Sequence, residues 1–279
     1  MKLWLFVMPS AAEGGWRRAV SEAAAAAQLP VWREDLVAMA EAHGEGLVVT
    51  ADPRPALVGW TEAALVVPAQ NGVEFLIDLG FTHADAVRRV AEFLAFASDV
   101  KARGGVLLDG SAPIVEVEGI GRVSRSGSSI AVNFHDGPLD IFRYIPPEIG
   151  SAAKWDAELF AFASYGKELN LLASPSIDVT GGARTLVLGP QITLSPGRWR
   201  VCARIMVDPE GSTTYLQASW GFGSDRVDVT AELNVPGEYS LVLEHDWRKS
   251  AEAELMIVSV RPHFCGRLEF MNVAVDRVG

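Results

Sequence analysis

From about Ala173 to the C-terminus the chain is cut into strand-length apolar segments by turn chemistry, and this most narrows what it can fold into. The segments are Thr185–Leu188, Gln191–Leu194, Arg198–Val207, Thr214–Phe222, Arg226–Leu233, Tyr239–His245, Glu254–Val260 and Arg267–Val275. Pro196-Gly197, Pro209-Glu210-Gly211 and Pro236-Gly237 separate several of them with residues that favour tight turns. Strands at intervals of about 8–12 residues with no helical period between them predict an all-β sandwich, and eight such strands predict a double-sheet jelly roll. Because side chains alternate along a strand, each segment divides into two faces. Trp199, Val201, Ala203, Ile205 and Val207 share one face, and Leu216, Ala218, Trp220 and Phe222 share another; both sets are expected in the core. Tyr239, Leu241 and Leu243 form a third such set.

The front of the chain has a different rhythm, in which short apolar runs alternate with helical patterns, as in parallel α/β structure. Leu3–Val7 is a continuous apolar run suited to a strand covered on both faces. A helix is expected over Gly14–Gln28, a strand over Val31–Arg33 and a helix over Glu34–His43. Strands over Leu47–Ala51 and Ala63–Pro68 follow. Thr82 is placed as the N-cap of a helix from His83 to Arg103 that Gly104-Gly105 ends. The loop Pro9-Ser10-Ala11-Ala12-Glu13-Gly14-Gly15 joins the first strand to the first helix, where backbone N–H groups can face an anion. Over this short stretch it resembles the first loop of retaining GT-B glycosyltransferases, in which a Gly-Gly pair opens the first helix. Neither G-x-G-x-x-G nor G-x-x-x-x-G-K-[ST] is present, and Glu13 would repel a phosphate, so a packed turn is the preferred reading.

Between these regions Val106–Leu108, Ile114–Glu118, Arg122–Ser124 and Ser129–Phe134 read as strands. His135, Asp136, Asp140 and Arg143 then gather within a few residues, a composition open to metal binding or acid–base work. An Asp-Gly-Pro turn with an outward histidine and an Asp–Arg pair is the preferred account. Trp155, Leu159 and Phe162 form a stripe that predicts a linking helix over Trp155–Tyr165. The expected organisation is therefore an α/β region with a β-rich second part over 1–150, a linking helix over 151–169 and a β-sandwich over 170–279.

Composition limits the partners. With 24 Lys and Arg against 35 Asp and Glu, the net charge of −11 disfavours a nucleic-acid backbone. No run approaches the roughly 20 apolar residues of a membrane span. The opening Met1–Pro9 is too short for a secretory signal and is soon interrupted by Glu13 and Arg17, so a cytoplasmic location is expected. Cys202 and Cys265 leave pairing open and have no metal-ligand spacing around them. Asp178, Asp225 and Asp228 are open to a structural Ca²⁺, but no D-x-D-x-D-G run supports it, and no metal or cofactor is expected.

The stretch Gly189-Pro190-Gln191-Ile192-Thr193-Leu194-Ser195-Pro196-Gly197-Arg198-Trp199-Arg200-Val201 is similar to the G-P-x-h-x-L-x-P-G-x-Y/W-x-V segment of jelly-roll domains. These domains resemble carbohydrate-binding modules and occur in bacterial proteins concerned with surface polysaccharides. Val235-Pro236-Gly237-Glu238-Tyr239 and the last strand fit the same plan. The resemblance implies a non-catalytic glycan-binding protein, and strand parity supplies candidate ligand groups. Arg200, Arg204, Tyr215, Gln217, Glu244 and Asp246 fall on outward faces, and Trp247 is placed at a strand end as an exposed platform. Arginines would also meet the carboxylates of an acidic polysaccharide. Two alternatives stand beside this: an enzyme acting on a sugar, nucleotide-sugar or glycan through the N-terminal region, and an assembly protein using the sandwich as an interface. No catalytic residue is assigned, and the oligomeric state is open.

Overall fold

A computed structural model describes residues 1–32, 37–53, 57–126, 130, 137–163, 169–170 and 174–279. The protein is mostly β, with several sheets, and divides into two compact units, Met1–His135 and Asp136–Gly279.

The first unit is organised by a five-stranded parallel sheet. Its strands are β1 (Lys2–Val7), β2 (Val31–Trp32), β3 (Gly46–Thr50), β4 (Thr61–Val66) and β5 (Val106–Asp109), in the order β2-β3-β1-β4-β5. The apolar run at the start of the chain becomes the central strand because both its faces are covered. Leu3, Leu5 and Val7 pack with Trp16, Val20 and Ala24 of helix α1 (Glu13–Ala26). The same cluster includes Val115 and Val123 of a hairpin, β6 (Ile114–Val117) and β7 (Gly121–Ser124). On the opposite face Phe6 meets Phe96 of helix α4 (His83–Ala102) with ring centroids 4.4 Å apart. Gly72 of helix α3 (Ala69–Asp78) sits so close to Met8 that an added Cβ would lie 2.9 Å from its Cε. Helix α2 (Val37–His43) completes the set. Thr82 caps α4 as expected, its Oγ1 accepting the Asp85 N–H at 3.1 Å. Gly104 follows the helix with φ +88°, a conformation that glycine adopts without penalty.

Helix α3 was not expected, and β5 joins the parallel sheet instead of opening a β-rich region. The strand expected over Ser129–Phe134 lies outside the described residues except for Ile130.

In the second unit two sheets face each other. Its strands are β8 (Ala152–Asp156), β9 (Ala161–Ala163), β10 (Leu169–Asn170), β11 (Ser176–Asp178), β12 (Arg184–Leu194), β13 (Gly197–Asp208), β14 (Thr214–Phe222), β15 (Asp225–Leu233), β16 (Gly237–Trp247), β17 (Ala251–Ser259) and β18 (Arg267–Arg277). A six-stranded sheet runs β10-β9-β12-β17-β14-β15, and a second runs β11-β18-β13-β16 with β8 paired to β18. Trp155 of β8 meets Trp220 of β14 at 6.0 Å, and Phe160 meets Phe270 of β18 at 4.8 Å. Trp199, Val201, Ala203, Ile205 and Val207 are all fully buried, as strand parity requires. Each large apolar side chain so buried contributes about 1.5–3 kcal/mol before the entropy of ordering it is subtracted.

The linking helix is replaced by strands β8 and β9 flanking a single 3-10 turn over Ala157–Leu159. Trp155, Leu159 and Phe162 do stand at helical spacing, but Phe160 and Phe162 are also both buried, which is strand alternation. Register with β18 and β12 provides the backbone partners that decide between the two. The segments Thr185–Leu188 and Gln191–Leu194 are one strand, β12, interrupted by irregular pairing between Pro190 and Ile192.

Candidate functional site

Strand alternation determines which side chains the two sheets of the second unit offer to solvent. The sheet containing β13 presents Arg198, Arg200, Cys202, Arg204 and Met206 outward, opposite Asp246, Glu244, Val242, Ser240 and Glu238 of β16. The three arginines of β13 are each held by a carboxylate. Arg198 reaches Glu244 at 2.7 Å, Arg200 grips Asp276 of β18 through Nε and Nη2 at 3.1 and 2.8 Å, and Arg204 pairs with Glu238. The hydrogen bonds from Asp276, reinforced by its charge, raise the Arg200 pKa above its ordinary value. This face is therefore a ladder of exposed ion pairs, each contributing little to stability. Asp246 is exposed beside it, in register with Arg198.

Tyr215 and Gln217 stand on the other sheet. On β14 the buried residues Leu216, Ala218 and Trp220 alternate with half-buried Tyr215 and Gln217, which face solvent. The Tyr215 hydroxyl donates to Glu232 Oε1 of β15 at 3.2 Å. The Arg261 guanidinium stacks 4.2 Å from the Tyr215 ring centroid, a cation–π contact that fixes the ring's attitude. Gln217 is flanked in register by Val258 of β17 and Thr230 of β15. One row further along, Ser219 lies between Met256 and Asp228, and Met256 in turn is paired with Leu188 of β12. The result is a shallow apolar strip (Leu188, Met256, Val258) bordered by an aromatic ring, an amide, carboxylates and a guanidinium. Such a surface can stack against the C–H face of a sugar and hydrogen-bond its hydroxyls.

One residue of this region escapes strand parity. Phe264 is 93% exposed in the loop joining β17 to β18, three positions beyond Arg261. The loop is tied to the body by Val260 N–H donating to the Tyr215 carbonyl at 3.1 Å and by paired hydrogen bonds between His263 and Gly181. A phenylalanine between Pro262 and Gly266 was the available sequence signal, because an apolar ring in a turn has no core position to occupy.

The candidate set is thus split between two opposite faces. Arg200, Arg204, Glu244 and Asp246 belong to one sheet, Tyr215 and Gln217 to the other. Trp247 belongs to neither surface. It is only 2% exposed, 5.0 Å from Trp220 and 6.0 Å from Phe222. Strand β16 continues as far as Trp247, and its odd-numbered positions Leu241 and Leu243 are buried, so the same alternation carries the indole into the core.

Cys202 and Cys265 are both free thiols. Asp178 lies on β11 and Asp225 and Asp228 on β15, in different sheets, and no cluster of metal-ligating side chains occurs among the described residues. His135 and Asp136 lie outside the described residues. Asp140 and Arg143 form the expected ion pair, 3.3 Å apart. No described helix is long and apolar enough to cross a membrane.

No protein-family model matches the chain, and no curated protein sequence matches it. Solved structures similar to part of it include the PRD1 vertex protein P5, 11% identical with a TM-score of 0.27, covering 47% of this chain and 99% of that one. A family 35 carbohydrate binding module from Clostridium thermocellum is 10% identical with a TM-score of 0.26, covering 45% of this chain and 97% of the module. A xylan-binding domain from Paenibacillus barcinonensis is 8% identical with a TM-score of 0.27, covering 47% and 99% respectively. Other similar chains are also carbohydrate-binding modules. At such identities and scores the likeness adds nothing to the geometry of the site.

Proposed function

We propose that this is a non-catalytic glycan-binding protein whose second unit is a jelly roll that holds its ligand on the outer face of the six-stranded sheet, around Tyr215. The observation that carries the reading is the Tyr215 ring, fixed by Arg261 and Glu232, beside Gln217 and the apolar strip of Met256 and Val258. Phe264 supplies a second, fully solvated ring in the adjoining loop. The arginines of the opposite sheet favour a neutral glycan over an acidic one, since Arg200 and Arg204 already hold carboxylates of the chain itself.

A glycan array probed with the full chain, followed by titration of the retained oligosaccharide, tests this. Tyr215→Ala and Phe264→Ala should each weaken binding by about tenfold, the effect of losing one well-placed ring contact. Arg204→Ala, on the other sheet, should leave affinity unchanged. Absence of binding to any neutral glycan overturns the proposal, and so does binding that responds to Arg204→Ala but not to Tyr215→Ala.

A further inference from the structure

Ser219 lies on the same side of the six-stranded sheet as Tyr215 and Gln217. It follows them at alternate positions of β14, so its side chain points the same way as theirs, while Ala218 and Trp220 enter the core. Yet Ser219 is only 2% exposed. A short side chain on an outward face is buried in this way when taller neighbours stand round it. Here they are Met256 of β17 on one side, Asp228 of β15 on the other and Gln217 in the row before. The remaining side is closed by Arg226, which packs so tightly on Gly221 that a Cβ there would lie 3.0 Å from Arg226 Cγ. Arg226 reaches Glu254, the β17 residue in register with Gly221, and its Nε donates to the Gly223 carbonyl at 2.7 Å. Ser219 is therefore the floor of a recess with one apolar wall and one acidic wall.

The polar groups of this recess are unused. Among the described residues, nothing hydrogen-bonds to the Ser219 hydroxyl and nothing pairs with the Asp228 carboxylate. The carboxylates of the neighbouring rows differ: Glu232 accepts from Tyr215 at 3.2 Å, and Glu254 is taken by Arg226. An ionised carboxylate only accepts, whereas a hydroxyl both donates and accepts, so a ligand hydroxyl satisfies the pair at once. A hydroxyl bonded directly to a pyranose ring stays at the ring's rim and cannot descend to a floor that taller side chains guard. The exocyclic hydroxymethyl group of a hexose projects one carbon further. Its methylene fits against Met256 while its hydroxyl bridges Ser219 and Asp228. Ser219 is four residues beyond Tyr215, roughly 13 Å along the strand, so the sugar it meets is not the one stacked on that ring.

We propose that Ser219, Asp228 and Met256 form a specificity subsite that selects hexoses over pentoses by their hydroxymethyl group. The assignment rests on this face being the glycan-binding surface. A pentose lies on the same apolar strip but leaves the Ser219 hydroxyl and the Asp228 carboxylate without a ligand partner. A site built round a hydroxyl rejects the analogue that lacks it, because its own polar groups are then left unpaired.

The experiment titrates methyl pyranosides into the ¹⁵N-labelled full chain in pairs that differ only by this group: glucose and xylose, galactose and L-arabinose, mannose and lyxose. At least one hexose should give saturable shifts of the Ser219 and Asp228 amides, and its pentose partner should bind about tenfold more weakly. Asp228→Asn and Ser219→Ala should each lower the affinity for that hexose about tenfold and leave the affinity for the pentose unchanged. Asp228 is exposed, so its replacement does not threaten the fold, and hydrogen exchange of the β14 amides checks both variants. Equal affinity within the bound pair, a preference for the pentose, or a hexose preference that survives both variants overturns the subsite and leaves the glycan reading standing. Binding of no hexose at all also overturns it; the glycan reading falls with it only if the array retains no glycan either.

Discussion

Three tryptophans on facing strands of the second unit are equally buried but differently satisfied, and this separates packing from hydrogen bonding. Trp199 and Trp220 are both fully buried. The Trp199 indole donates to the Ser195 carbonyl at 2.9 Å, whereas the Trp220 and Trp247 indole nitrogens have no partner. Replacing either Trp199 or Trp220 by phenylalanine removes one ring of the indole and leaves a small cavity, at a cost of about 1–2 kcal/mol. At Trp199 the change also breaks a buried hydrogen bond and strands an acceptor, adding about 1–2 kcal/mol. At Trp220 it removes a buried donor that was never satisfied, which returns about the same amount. Trp199→Phe should therefore cost about 2–4 kcal/mol, and Trp220→Phe should be near neutral, within about 1 kcal/mol of zero in either direction. Because the chain has two compact units, a single unfolding transition is not a safe measure. Native-state hydrogen exchange of the β13 and β14 amides reads the opening free energy of this unit alone. Equal losses at the two positions would refute the reasoning, because they would show that the Trp220 N–H is already paired.

Two further outcomes follow from the described contacts. Thr82→Ala removes the side chain that caps α4 and should destabilise the first unit by about 1 kcal/mol, seen as faster exchange in the first turn of that helix. Asp178 is held below its ordinary pKa of 3.8 chiefly by the Thr180 hydroxyl and then by the Thr180 N–H, with Arg184 and Arg267 assisting against burial. A lowered carboxyl pKa stabilises the fold above the unfolded value and loses that contribution as pH falls through the folded one. The stability gap between wild type and Asp178→Ala, read from hydrogen exchange of the second unit's amides, should thus be present at neutral pH and narrow as pH falls below 3.8 through the lower folded value.

The sequence carried the periodicities and therefore the element types. The apolar run at Leu3–Val7 could be satisfied only by cover on both faces, and α1 and α4 provide it. The alternation at Trp199–Val207 determined an inward face before any partner strand was known, because side chains on a strand must alternate. Tyr215 and Gln217 were legible as outward residues for the same reason. Three things depended on contacts distant in the chain. Residues 152–163 became strands because β18 and β12 offered backbone partners, which outweighed a helical stripe of three aromatic and aliphatic side chains. Trp247 was withdrawn into the core because β16 extends far enough to reach Trp220. The outward polar set was divided between two sheets, since parity says which way a side chain points but not which sheet its strand joins. Local chemistry sets the face of a residue. Only the pairing of strands far apart in sequence decides its neighbours, and a binding surface is made of neighbours.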